Sequence, residues 1–196
     1  MSDLRSLVRQ FDGWLSRRLG IFEFSEDLCC ILRLQRSHSR RIILLDNRTI
    51  HKGDPILAYH LWNERVPPLP SGGADFAWAA KTLSLFRYSL RLMARELRLD
   101  ETWKDVNAIY GASSLFPPPE RGEFHPMERL GFSVMPYRSP LGGFGNFWEN
   151  FYSWIIMWAY NPPSVRRKPF WRLRRSEMWI GKERLLKLYP ENEIAH

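Results

Sequence analysis

The sequence has few cysteines and none of the short motifs that mark common metal or hydrolase sites. Its only two cysteines in 196 residues are the adjacent Cys29 and Cys30. Neighbouring residues on a strand point to opposite faces, so this pair is poorly placed for a disulfide and cannot form a zinc site alone. No HExxH, GxSxG or spaced Cys/His cluster occurs. The sequence therefore supports no metal site or other cofactor, and two reduced thiols are expected.

An export signal is also lacking at the start of the sequence. The segment MSDLRSLVRQFDGW has no apolar core of the roughly 7–15 residues that a signal peptide requires. We therefore expect the protein in the cytoplasm.

Local positive charge and aromatic residues are what the chain does have. The formal net charge is +8, and six basic residues lie between positions 166 and 175 with no acidic residue among them. The remaining 23 basic and 21 acidic residues nearly balance, so most of the excess charge is one patch. Trp, Phe and Tyr make up 14% of the chain. Many of these rings should be buried, and the rest should lie at an interface or a ligand site.

Hydrophobic periodicity predicts a single α+β domain over residues 1–196, with an antiparallel or mixed sheet packed against two or three long helices. The clearest element is a helix from Phe76 to Leu99 with Asp75 as its N-cap. Further helices are predicted at 2–19, 146–160 and 176–188, and strands at 30–35, 42–45, 55–62, 106–110 and 132–135. The first three strands are expected to form an antiparallel meander.

The predicted helix at 146–160 is apolar almost all round. Its polar residues Asn146, Glu149, Asn150 and Ser153 fall on one narrow stripe. The helix would be about 22 Å long, short of the roughly 30 Å hydrocarbon core of a bilayer, so it is not a transmembrane span. Three interpretations stay open: a core helix, a polar stripe that lines a pocket, and a helix lying partly in a membrane interface.

The basic segment that follows interleaves cations with aromatic residues. It contains Arg166, Arg167, Lys168, Phe170, Trp171, Arg172, Arg174 and Arg175. An anionic bilayer surface attracts such cations by about 1 kcal/mol each, and indole rings settle at the headgroup level. Single-stranded nucleic acid suits the same residues, because Arg binds phosphates and aromatic rings stack on bases. A solvated loop whose aromatic side chains pack inward is the structural alternative.

A third candidate site lies at the end of the predicted strand 55–62. His60 and Glu64 share one strand face, and Asn63 and Arg65 share the other. A His with a nearby Glu could act as acid and base. In that hypothesis Asn63, Arg65 and the polar stripe of the 146–160 helix bind the substrate. The structural alternative is that His60 is a satisfied buried histidine, while Glu64 and Arg65 anchor the proline-rich loop that follows.

The glycine-rich stretch Gly142-Gly143-Phe144-Gly145 precedes the predicted 146–160 helix. Its backbone N–H groups could hold an anion, although it matches neither the Walker pattern nor the dinucleotide-binding pattern. A flexible turn is the structural alternative.

Four segments resemble the YkoP-like family of bacterial domains. They are FDGWLSRRLGIFEFS (11–25), KGDPILAYHLWNERVP (52–67), FWENFYSWIIMWAYNP (147–162) and SEMW (176–179). The resemblance implies a bacterial protein with an envelope-linked role, because in some members this domain accompanies a polysaccharide deacetylase domain. The metal-binding Asp and His motifs of that deacetylase are absent here. The resemblance carries over no catalytic residue.

The preferred hypothesis is an accessory domain, peripheral to the cytoplasmic membrane, that supports envelope polysaccharide or lipid metabolism beside envelope-biosynthesis proteins. One alternative is a small transferase or hydrolase built on His60 and Glu64. The other is a nucleic-acid-binding protein that uses residues 166–175.

Overall fold

The computed structural model describes residues 2–45, 48–118, 125–165 and 169–191. The helices of this part are α1 (Ser2–Arg18), α2 (Phe76–Leu99), α3 (Gly142–Tyr160) and α4 (Lys182–Leu188). Its strands are β1 (Leu32–His38), β2 (Ile43–Leu45), β3 (Arg48–Ile50), β4 (Pro55–Leu61), β5 (Ala108–Ser113), β6 (Ser133–Pro136) and β7 (Ser176–Gly181). The predicted α+β fold class is confirmed.

Five of these strands form one mixed sheet in the order β1-β4-β5-β7-β6. Strands β4 and β5 run parallel, and the other neighbouring pairs run antiparallel. A parallel pair requires a crossover connection, which α2 supplies. The predicted meander was wrong, because β2 pairs with β3 in a separate hairpin. That hairpin buries Ile43 and Leu45 against Ile56 and Trp179 of the main sheet. This apolar contact favours a hairpin that packs on the face of the sheet over a β2 strand that pairs with β1 or β4.

One face of the sheet, called here the dry face, is covered by α2. Leu57 and Met178 point to this face and pack in one core cluster with Phe86 of α2. The ring of Tyr59 also lies on this face, directly over Gly111. A Cβ at position 111 would come within 2.1 Å of that ring, so the close approach requires glycine.

The helix α2 has the predicted bounds and the predicted cap. It begins after Asp75, whose Oδ1 accepts a hydrogen bond from the backbone N–H of Trp78 at 2.7 Å. That bond satisfies one of the N–H groups left free in the first turn of a helix. The cap and the apolar stripe of α2 are therefore both local features that the sequence displays directly.

The opposite face, called here the cavity face, is covered by the β2–β3 hairpin at one end and by α1 and α3 at the other. Arg33 of β1 and His60 of β4 are direct cross-strand partners on this face. The helix α1 turns Asp12 and Ser16 inward, where both are almost fully buried. Its apolar stripe, formed by Leu4, Leu7, Phe11 and Trp14, points outward and is about half exposed.

The prediction of one helix over residues 176–188 was wrong. Residues Ser176–Gly181 form β7, between β5 and β6, and only Lys182–Leu188 is helical. The strand lies in the interior of the sheet, and its first five residues are all buried. A strand buried on both faces lacks the alternation of polar and apolar residues that distinguishes a strand from a helix.

Candidate functional site

A cavity of about 680 Å³ opens at the carboxyl ends of the parallel strands β4 and β5. Asn63 and Ser114, which follow these two strands, line it together with residues of α1 and α3. Its apolar walls include Leu15, Ile156 and Met157. Ligands commonly bind at the carboxyl ends of parallel strands. The volume also falls within the roughly 300–1,000 Å³ of small-molecule sites, which makes this cavity the candidate site.

His60 lines the cavity and is largely shielded from solvent. Its Nε2 lies 2.8 Å from Oε1 of Gln35 on the neighbouring strand β1. Burial, assisted by the nearby cation of Arg33, lowers the pKa of His60 from 6.5 to about 4. The imidazole is therefore neutral at neutral pH, and it carries no extra proton to donate as a general acid.

Glu64 is exposed at the rim of the cavity and contacts Tyr160 instead of His60. The hydroxyl of Tyr160 lies 2.9 Å from Oε1 of Glu64 and 3.2 Å from Oδ2 of Asp12, so two carboxylates share its single proton. Within the described residues no hydrogen bond joins His60 to Glu64. Their action as an acid–base pair stays a prediction.

Asp12 is held by a second tyrosine as well. Tyr152 donates a hydrogen bond to Oδ1 of Asp12 at 2.8 Å. Burial and this bond raise the pKa of Tyr152 above its usual value, and burial and the bond to Glu64 raise that of Tyr160. Both hydroxyls therefore keep their protons and act as donors to the buried carboxylate.

Arg65 points away from the cavity. Its Nη1 donates to the backbone carbonyl of Cys30 at 3.3 Å and also to that of Asp27. Its guanidinium lies 3.4 Å from the centre of the Trp62 ring, in a cation–π contact. These contacts fasten the end of β4 to the turn that precedes β1. The structure thus does not bring Arg65 together with the other predicted substrate-binding residues.

The polar stripe of α3 lies beside the cavity and holds Arg175. Nη1 of Arg175 donates to Glu149 at 2.9 Å, and its Nη2 donates to Oδ1 of Asn150 at 2.9 Å. Ser153 lines the cavity, and its hydroxyl donates to the backbone carbonyl of Glu149 at 2.8 Å. Arg175, which the sequence assigned to an anionic surface, therefore points inward and neutralises Glu149.

Several charged or polar cavity residues were missed from the sequence, among them Asp12, Arg33 and Tyr152. Arg33 alternates with the buried Leu32 and Leu34 on β1, and such alternation is typical of a strand with one face in solvent. Nothing in the local sequence shows that α1 and α3 cover that face. The available signal was on α1, where Asp12 and Ser16 are four residues apart and share one side of the helix.

A second candidate lies on the surface, where α3 begins. We call it the aromatic surface, and it consists of Phe144, Phe147, Trp148, Phe151, Phe170 and Trp171. Most neighbouring rings meet edge to face, with centroids 6.2 Å apart for Phe144 and Trp148 and 5.2 Å apart for Phe170 and Trp171. Phe144 and Trp171 are each 69% exposed. Contiguous exposed apolar patches of this kind mark interaction sites.

The rest of the predicted basic segment is described only in part. Arg174 is exposed, three residues after Trp171. Arg166, Arg167 and Lys168 lie outside the described residues, and so does the side chain of Arg172.

The glycine-rich stretch forms the first turn of α3 instead of a separate loop. A Cβ at Gly145 would come within 2.1 Å of Oγ of Ser139, so glycine lets the helix pack closely against the preceding segment. That contact gives the glycine a structural reason. Anion binding at this turn stays a prediction.

In the described part of the chain, no helix combines the length and the hydropathy that a membrane crossing requires.

A family model described as YkoP domain matches residues 11–189 of the chain. This range includes the main sheet, the cavity and the aromatic surface. No curated protein and no solved structure is significantly similar to the chain. The comparisons therefore bring no ligand, partner or reaction from a relative.

Proposed function

The chain belongs to the YkoP domain family, and we propose that it is a peripheral membrane protein that binds an anionic bilayer through the aromatic surface and the basic segment 166–175. The observation that carries this proposal is the aromatic surface itself. Its six rings are in contact with one another, yet several of them stand open to solvent. A stable core would bury such rings, whereas a bilayer interface is an environment in which amphipathic Trp rings are favoured.

The charge next to the rings selects an anionic partner. Phe170 and Trp171 belong both to the aromatic surface and to the basic segment, so rings and basic residues are close neighbours in the sequence. Arg175 is occupied by Glu149 and Asn150, which leaves five cations for the bilayer. They are Arg166, Arg167, Lys168, Arg172 and Arg174. At about 1 kcal/mol for each cation near an anionic surface, these five residues together suffice for reversible binding.

In the cytoplasm this surface would hold the domain on the inner face of the cytoplasmic membrane. There it would act as an accessory to envelope polysaccharide or lipid metabolism, beside the proteins that perform the synthesis. Arg65 donates to backbone carbonyls, and within the described residues no hydrogen bond joins His60 to Glu64, so a binding role is favoured over acid–base catalysis by that pair.

Co-flotation of the full chain with liposomes tests the proposal. We expect the protein to float with vesicles rich in phosphatidylglycerol and to stay behind with vesicles of phosphatidylcholine alone. Binding should weaken as salt is raised, because salt screens exposed charges. Equal binding to both vesicle types, or binding to neither, would contradict the proposal. Binding to single-stranded oligonucleotide without binding to anionic vesicles would contradict it too, in favour of nucleic acid.

Two variants and two matched controls locate the surface. Changing these five basic residues to Ser should remove binding to anionic vesicles. The double change Phe147→Ser and Trp171→Ser should weaken it at least about tenfold, since two interfacial anchors are lost. The controls lie on α2, over the other face of the sheet. They are Lys81→Ser with Arg87→Ser and Arg95→Ser for charge, and Phe76→Ser for an exposed ring. Both controls should bind as the unchanged protein does.

A further inference from the structure

Arg33 is an exception among the charged residues around the cavity. It lines the cavity with only 9% of its surface exposed. No hydrogen bond or ion pair holds its guanidinium anywhere in the described ranges, and its buried Nε has no partner. The nearest interaction of its guanidinium is a cation–π contact at 5.9 Å from the centre of the Trp62 ring. Arginine stays charged at any physiological pH, and this buried cation has no ion-pair partner among the described residues.

Among the described residues, the carboxylates near the cavity make other contacts and form no ion pair with Arg33. Asp12 accepts hydrogen bonds from Tyr152 and Tyr160, and the described structure has no ion pair between Asp12 and Arg33. Glu149 is paired with Arg175. A buried charge is costly unless it is paired and hydrogen-bonded. The cavity thus offers a preformed place for one negative group from outside the chain.

We propose that the cavity binds a small amphiphilic anion, an alkyl carboxylate or alkyl phosphate, with Arg33 as its counter-ion. The planar guanidinium matches either group, because it can donate two parallel hydrogen bonds to a carboxylate or a phosphate. The apolar body of the ligand fits the walls, which contain a series of aliphatic side chains. These are Leu15, Leu19, Ile21, Val66, Ile156 and Met157.

The cavity is well suited to such a ligand in position as well. It lies where β4 and β5 end. Its walls come from parts of the chain that are far apart in sequence, among them α1, β1, α3 and the proline-rich loop. Ligand sites of this kind are mostly apolar and have a few convergent polar groups that fix orientation. Ser114 stands on the same lining, and its hydroxyl can donate to a further oxygen atom of the anion.

Isothermal titration calorimetry with four probes tests the proposal directly. The probes are octyl phosphate and octanoate, both below their micelle concentrations, with octanol and inorganic phosphate for comparison. We expect both amphiphilic anions to bind at least about tenfold more tightly than octanol, since a charge-assisted hydrogen bond in a desolvated site contributes strongly. Inorganic phosphate should bind more weakly than octyl phosphate, because it has no apolar body. Equal affinity for octanol and octyl phosphate would overturn the proposal.

Variants of one strand assign the binding to Arg33. Arg33→Met should weaken octyl phosphate at least about tenfold and leave octanol unchanged, and Arg33→Lys should retain part of the affinity. Arg36→Met is the matched control, since Arg36 lies on the same strand, is exposed and is not part of the cavity. If Arg33→Met does not fold, the comparison of Arg33→Lys with the unchanged chain decides. Unaltered affinity in Arg33→Lys and Arg33→Met would refute the assignment.

This site is separate from the membrane surface, so the two proposals can fail independently. The double variant Phe147→Ser and Trp171→Ser should titrate with octyl phosphate as the unchanged chain does. Loss of octyl phosphate binding in that variant would place the anion on the aromatic surface and would overturn the cavity site.

Discussion

The two faces of the main sheet differ in what they bury: apolar side chains on the dry face, and polar and charged side chains on the cavity face. On the dry face, Leu57 and Tyr59 of β4 pack with Phe86 of α2 in an apolar core. On the cavity face, His60 of the same strand is hydrogen-bonded to Gln35 and lies next to Arg33, which has no hydrogen bond or ion pair within the described part of the chain. Because side chains alternate along β4, this one strand contributes residues to both faces. The difference indicates that the dry face supplies most of the stability, whereas the cavity face buries polar and charged groups that are costly to bury.

The helices that cover the two faces differ in the same way. The helix α2 turns its apolar stripe inward, whereas α1 buries Asp12 and Ser16 and leaves Phe11 and Trp14 half exposed. A helix that only stabilised the fold would have the reverse arrangement, because burial of apolar area is the main favourable term in folding. In its observed orientation, α1 therefore supplies the polar residues Asp12 and Ser16 to the cavity lining at the expense of burying its apolar stripe.

The largest expected effect is on the dry face. Phe86 is 1% exposed and meets the rings of Tyr59, Phe116 and Phe132. Phe86→Ala should lower the free energy of unfolding by about 3–5 kcal/mol, because it removes buried area and leaves a cavity. Urea unfolding followed by tryptophan fluorescence measures the change. Phe76→Ala is the control on the same helix, since Phe76 is 90% exposed, and it should change stability by less than about 0.5 kcal/mol.

On the cavity face, the next effect depends on pH. The pKa of His60 is lowered from 6.5 to about 4 in the folded protein, so the unfolded chain takes up a proton first as pH falls. Stability should be unaffected above pH 6.5 and should decline from there to about pH 4, by up to about 1.4 kcal/mol per pH unit. The whole contribution is on the order of 3 kcal/mol. Urea unfolding at a series of pH values measures it.

The variant His60→Gln isolates this contribution from other groups that titrate in the same range. Gln keeps an N–H donor for Gln35 but does not titrate. Its stability should therefore fall less steeply between pH 6.5 and 4 than that of the unchanged chain. Identical pH profiles for the two proteins would show that the histidine is not buried as the structure has it.

The helix of the dry face could be predicted from the sequence, whereas β7 and most of the cavity face could not. The α2 stripe and the Asp75 cap are local patterns, and both appear in the structure where they were predicted. Membership of the YkoP family was also apparent from four segments of the sequence. Arg33 and Asp12 were missed because their burial depends on residues more than 100 positions away on α3. Local pattern reports which residues share a face, but tertiary contacts decide what covers that face.

The same limit explains which predicted site residues came together. His60 and Asn63 line the cavity, and Glu149 and Asn150 act on it through Arg175. Arg65 is only two residues beyond Asn63 in the sequence, but its side chain packs on Trp62 and away from the cavity. The sequence placed His60, Asn63 and Arg65 at the end of β4, as the structure does. Beyond the end of a strand, however, side chains no longer alternate between two faces, so the sequence does not predict their direction.

A smaller effect, of opposite sign to that of the core change, is expected from Arg33. Arg33→Met replaces a buried unpaired cation by an apolar side chain of similar length. The free energy of unfolding should therefore rise by about 1 kcal/mol at pH 7 in urea. A loss of more than about 1 kcal/mol would indicate that Arg33 stabilises the fold through Trp62, and would remove the contrast between the two faces.

The last effect, as small as that of Arg33→Met, tests whether the start of α2 is fixed by its own sequence. Asp75→Ala removes the acceptor for the Trp78 N–H and should cost about 1 kcal/mol in urea unfolding. Asp75→Asn keeps an acceptor oxygen at this position and should stay within about 0.5 kcal/mol of the unchanged chain. The helix α3 has no such side-chain cap, and its first turn contains three glycines. If Asp75→Ala leaves the free energy of unfolding unchanged, tertiary packing alone fixes where α2 begins. The start of α2 would then depend on its local sequence no more than the start of α3 does.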